Sequence, residues 1–243
     1  MMAMRHKKAQ LTFFIILGIV VIAAFVFFLA IRKESADLTP AGVPQDFSAI
    51  QIYVEDCLKA VTNFAVYKIG KQGGYIETPE GSYRNTFLDV AYAFDSSNIF
   101  VAMPKMQLEI EGFVNAHLKE CTAGFADFRS KGISIKEGNV KSQVSFGEKN
   151  VMVVAEYPLQ MSSAQSSYSL EKFSATVPVA LKTVHSDIDS FVSDFDERYD
   201  LTYLNSISSN VYIHSMGPAD LFVEENPDSS IRGENYLFLY AVR

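Results

Sequence analysis

The chain has 243 residues, 49% hydrophobic and 20% charged, a composition that excludes an intrinsically disordered protein. Its formal charge is −7, yet the first 33 residues carry Arg5, Lys7, Lys8, Arg32 and Lys33 and no acid. The remainder holds 16 basic and 28 acidic residues, and a balance of −12 argues against nucleic-acid binding, which needs a basic footprint.

Residues 1–10 form a basic tail, and Leu11 to Ile31 follow as 21 residues without a charge. Thr12 is the sole polar side chain in that run. A helix of this length spans about 30 Å, the thickness of the hydrocarbon core. The run exceeds the apolar stretch of a cleaved secretory signal, and Phe28-Leu29-Ala30 lacks the small-x-small pattern of a cleavage site. The segment therefore reads as a retained single-pass anchor in contact with membrane lipid. Arg5, Lys7 and Lys8 before the helix place the tail in the cytoplasm and the long domain outside the cell. Residues 32–46 contain Pro40, Gly42 and Pro44 and read as a linker.

Arg5-His6-Lys7-Lys8-Ala9-Gln10, followed at once by the apolar helix, resembles the class III signal peptide of archaeal pilins and archaellins. The resemblance implies processing at Lys7, Lys8, Ala9 and Gln10, a prepilin-type peptidase cutting between Ala9 and Gln10. The fifth residue of the mature chain would then be Phe14, where many pilins carry Glu, and Pro40 and Pro44 stop the helix from running into the domain. Tyr53-Val-Glu-Asp-Cys-Leu58, Gly70-Lys-Gln-Gly-Gly-Tyr-Ile76 and Tyr236-Leu-Phe-Leu-Tyr-Ala-Val-Arg243 resemble a pattern of uncharacterised archaeal single-pass membrane proteins. That resemblance implies a shared fold and no particular chemistry.

Residues 47–243 read as one extracytoplasmic domain. Asp46 is placed to cap a helix whose stripe is Ile50, Val54, Cys57, Leu58, Val61, Ala65 and Ile69; Gly70 would end it, and Gly73-Gly74 turn the chain. Phe87 to Phe94 and Ile99 to Met103 read as strands around Asp95-Ser96-Ser97. Pro104 opens a second helix with the stripe Met106, Ile110, Phe113, Val114, Leu118, Cys121 and Phe125. A meander follows: Val140 to Phe146, a turn at Gly147 to Asn150, Val151 to Tyr157, then Tyr168 to Val177. A third helix starts near Pro178, with Leu181, Val184, Ile188, Phe191, Val192 and Phe195 inward. Val211 to His214, Leu221 to Val223 and Tyr236 to Val242 read as strands, the last covered on both faces. The expected class is α+β, antiparallel sheets packed with about three amphipathic helices.

Cys57 and Cys121 lie on the inner stripes of the first two helices, an even count in a domain placed in an oxidising compartment. A bridge between them would close a loop of about 64 residues, on the order of 4 kcal/mol in the chain-entropy model; two separate buried thiols are the alternative. His6, His117, His185 and His214 sit in no zinc spacing, and His117 reads as a packing residue. Asp187, Asp189, Asp194, Asp196, Glu197 and Asp200 fail the calcium-loop test, since Phe191 and Val192 occupy its fifth and sixth positions. They read as the solvated side of the third helix. Gly70-Lys71-Gln72-Gly73-Gly74 lacks the spacing of a phosphate loop, and neither a nucleophile elbow nor an N-glycosylation sequon occurs. No catalytic, metal-binding or cofactor-binding set emerges. The sequence favours a non-enzymatic binding or structural domain tethered at the cell surface, with a protein partner there; a pilin-like subunit or assembly factor and a cell-surface enzyme are the alternatives.

Overall fold

The computed structural model describes residues 45–195, 201–207 and 209–243. The expected tail, anchor and most of the linker (1–44) lie outside the described residues, as do Asp196, Glu197 and Asp200. Among the described residues no helix is long and apolar enough to cross a membrane. The chain divides into two compact units, 1–48 and 49–243; the second is the domain treated below.

Helix α1 spans Gln45–Lys71; the side chain of Asp46, the expected cap, lies outside the described residues. Its expected stripe from Ile50 to Ile69 is buried throughout, because residues three and four apart share one face. Gly70 does not end the helix. It is the site of closest approach to strand β10 (Glu234–Val242), where a β-carbon would collide with the Leu237 carbonyl and the Tyr236 ring. The chain leaves through Gly73 and Gly74, both at positive φ, with the Gly74 N–H bonded to the Ile69 carbonyl at 2.8 Å.

The region expected as two strands is more broken. Strands β1 (Tyr83–Arg84) and β2 (Asp89–Val90) form a small hairpin, and β3 (Tyr92–Phe94) joins a larger sheet. Phe87 lies in the hairpin loop. Ile99 to Ala102 forms no strand; Ile99 N–H meets the Ala93 carbonyl at 3.0 Å and Phe94 bridges Asn98, so this stretch only folds back along β3. Helix α2 is Met103–Thr122 with Pro104 in its first turn. Met106, Ile110, Val114 and Leu118 are buried, whereas Phe113 is half-buried and stacks on Phe64 of α1 at 5.6 Å. Phe125 belongs to a following 3₁₀ turn, Ala123–Phe125, before the short helix α3 (Ala126–Ser130).

Strands β4 (Ser134–Glu137), β5 (Lys141–Phe146), β6 (Val151–Ser162) and β7 (Ser167–Val177) form an antiparallel sheet. β4 and β5 share one edge of β6 end to end, and β7 takes the other. Val151, Val153, Ala155, Tyr157, Leu159 and Met161 are buried and their neighbours exposed, the alternation of a one-sided sheet. The register shifts between Glu156 and Leu159, at Pro158, which has no N–H to give the ladder.

The second sheet runs β3-β10-β9-β8, with β8 at Asn210–Ser215 and β9 at Asp220–Ile231. β3 pairs parallel with β10, so this sheet is mixed while the other two are antiparallel. β10 is covered on both faces. One face places Phe222, Glu224 and Asn226 opposite Tyr240, Phe238 and Tyr236. Helix α4 (Leu181–Ser193) meets this face, with Phe191 and Phe222 ring centroids 5.3 Å apart. The opposite face packs Leu221 and Leu239 on Val90. Two helices beyond the expected three are short: α3 and α5 (Leu201–Leu204). The class is α+β.

Candidate functional site

Cys57 on α1 and Cys121 on α2 are placed at disulfide distance, with Sγ–Sγ 2.17 Å and Cα–Cα 5.7 Å. Tyr53, one turn before Cys57, rests on Phe125 and Phe128 beyond the end of α2. The bridge thus staples two helices whose apolar stripes already face the same core.

The most unusual chemistry lies between α4 and the second sheet. Glu224 is 1% exposed, set in the ladder between Val211 and Phe238. The Ser209 hydroxyl bonds its carboxyl and also receives the Asn226 amide at 3.4 Å. Glu224 Oε1, Asn226 Oδ1 and Asp187 Oδ2 are buried with no hydrogen-bond partner among the described residues. Burial pushes the Glu224 carboxyl up to about 8, and the nearby Asp187 charge adds to the shift. Burial raises Asp187 as well. Asp187 therefore does not belong to the solvated side of its helix; Tyr203 of α5 closes over it, donating to its backbone carbonyl at 2.9 Å. Asp189 and Asp194 are exposed. Tyr236 and Tyr240, on the same sheet face, are held far above the usual phenol range by burial and by Glu224. At neutral pH this arrangement makes Glu224 a neutral O–H donor in a low-dielectric layer.

A buried acid of this kind serves catalysis only where substrate can reach it. Glu224 and Asp187 line none of three open surface cavities, which are bordered by Phe94, Phe195 and Arg243 (about 500 Å³), by Glu111 and Ser142 (about 480 Å³), and by Leu204 and Ile213 (about 390 Å³). Among the described residues no three His, Cys, Asp or Glu converge as a metal site. His185 is buried, its Nε2 2.8 Å from the Val101 carbonyl. His117 is partly buried, as expected, and packs against Phe113 at 4.2 Å while pairing with Glu120 at 2.8 Å. His214 is exposed on β8. Lys71, Gln72, Gly73 and Gly74 form the end of α1 and its turn, the Gln72 N–H bonded to the Lys68 carbonyl at 3.0 Å.

The surface offers a different feature. Phe87 is 91% exposed at the tip of the β1–β2 hairpin. Its loop is locked: Asn85 Oδ1 accepts from the Phe87 and Leu88 N–H groups, each at 2.8 Å, and Asn85 N–H donates to the Leu88 carbonyl. Below the tip, Asp89 binds Arg84 and Thr78. Sequence reasoning placed Phe87 inside a strand; the available signal was Asn85, whose side chain closes turns two and three residues ahead. Glu224 was missed because Glu224-Glu225-Asn226-Pro227-Asp228 has the composition of a loop, while the register of β9 on β10 carries the strand through it.

No family model matches the chain, and no curated protein or solved structure matches it either.

Proposed function

We propose that this protein is a membrane-anchored, extracytoplasmic interaction domain that binds a protein partner at the cell surface and catalyses no reaction. The observation that carries this reading is Phe87. A large apolar side chain exposed on a loop held by three backbone-directed bonds has already given up its freedom, so docking it into an apolar pocket costs little additional ordering. The charge-free run 11–31 and its basic flank supply the tether. Glu224 and Asp187, the two buried carboxyls raised by burial, line none of the three open cavities.

The test is a photo-crosslinking amino acid at position 87, irradiated on intact cells. A discrete adduct that requires irradiation and is absent for a probe at Glu80 is the expected result. No adduct above the Glu80 probe overturns the reading. Phe87→Ala itself should leave thermal stability within about 0.5 kcal/mol of wild type, as for an exposed site. A filament-subunit role is favoured only by the resemblance of residues 5–10 to a class III signal, and it requires a mature chain beginning at Gln10.

A further inference from the structure

We infer that strand β8 is a homotypic docking edge, and that two copies of this chain join antiparallel β8 to β8, extending the second sheet across a two-fold axis. Residues 201–219 contain no Asp, Glu, Lys or Arg, the longest such run beyond residue 44. β8 lies within it, exposed along nearly its whole length, with Tyr212 49% and Ile213 37% exposed. Among the described residues, three other strand edges are guarded. β5 is capped by helix α2, whose Asn115 and Glu111 side chains accept the Ser142 and Val144 N–H groups at 2.7 and 2.8 Å. β3 is covered by its own returning turn. β7 carries exposed Glu171 and Lys172. Among the described residues β8 has neither charge, proline nor cover of these kinds, the devices by which proteins blunt an edge.

The occupant follows from charge and pairing. Residues after 33 carry a balance of −12, so a cationic partner would select the acidic surface and leave this edge alone, while a second acidic copy meets little local repulsion along a charge-free edge. A two-fold axis through Tyr212, perpendicular to the sheet, sets Tyr212 against its own copy, Val211 against Ile213, and Asn210 against His214. The pairs are apolar on one face and aromatic or polar on the other, the kinds that stabilise antiparallel ladders. Tyr212 is held for this by Glu225, which accepts its hydroxyl at 3.0 Å. On the other face, Val211 and Ile213 border an open groove of about 390 Å³ with Leu204 and Ile207, which receives the partner's apolar side chains.

The inference is independent of Phe87 and of the partner proposed for it, and its test is separate. Full-length chain in membranes carries Tyr212→Cys and is oxidised by dioxygen with copper phenanthroline, which joins two thiols as a disulfide with loss of two protons and two electrons. Cys57 and Cys121, already paired, contribute no thiol. Thr176→Cys on exposed β7 is the control for collision and for association through the anchor. The expected result is at least tenfold more covalent dimer for Tyr212→Cys than for Thr176→Cys, falling tenfold when Ile213→Lys is added. His214→Glu, on the face away from the groove, repeats the charge test without disturbing packing. Dimer at or below the Thr176→Cys level, or dimer unaffected by both charge variants, overturns the inference.

Discussion

Glu224 sets the pH response of the fold. A carboxyl ionised at about 4.5 in the unfolded chain and near 8 in the folded one binds its proton more tightly when folded. Stability is then undiminished below 4.5, falls as pH rises through the interval, and is lowest above 8. The full effect is on the order of several kcal/mol, an upper limit given that relaxation and water entry soften buried charges. Asp187 is raised too and acts in the same sense. Glu224→Gln should flatten the decline between pH 5 and 8 and give a higher midpoint than wild type at pH 8.5, measured by thermal denaturation across pH. A wild-type stability that rises over this range would contradict the placement of Glu224. At this scale the sequence was least legible. Composition shows that an acid is present; only the ladder between Val211 and Phe238 shows that it is buried.

Elements were legible where burial follows a local period. The stripe of α1, the alternation of β6 and the doubly covered β10 each repeat over enough residues for the pattern to stand out. β1, β2, β3 and β4 span two to four residues each and exist through their pairing partners, which no local pattern encodes. The bond between α2 and the β5 edge is of the same kind: Asn115 and Glu111, one turn apart, meet alternate strand residues. Asn115→Ala would leave the Ser142 N–H without its acceptor in a half-buried site, a loss of about 1–2 kcal/mol. Amide exchange at Ser142 should accelerate roughly tenfold while that at Val153 on β6 changes little. Unchanged exchange at Ser142 would mean that the helix side chain does not hold this edge. Glu111→Gln, which keeps an acceptor for Val144, should be milder than Glu111→Ala.

The described domain has a core stapled through Cys57 and Cys121, in a chain whose residues after 33 carry a balance of −12. A link between Cys57 and Cys121 closes a loop spanning 64 residues, contributing on the order of 4 kcal/mol by constraining the unfolded chain. Such a link persists in an oxidising compartment and not in the cytosol, consistent with a domain held outside the cell by residues 11–31. The apolar tip at Phe87 and the charge-free β8 edge are the surfaces proposed to meet other molecules. The most direct measurement is protease treatment of intact cells, followed by mass spectrometry of released and retained peptides. The expected result is release of peptides from residues 47–243 with Cys57 and Cys121 joined, while the segment around Leu11 to Ile31 stays with the membrane. Protection of the entire chain in intact cells, with digestion only after lysis, would contradict it.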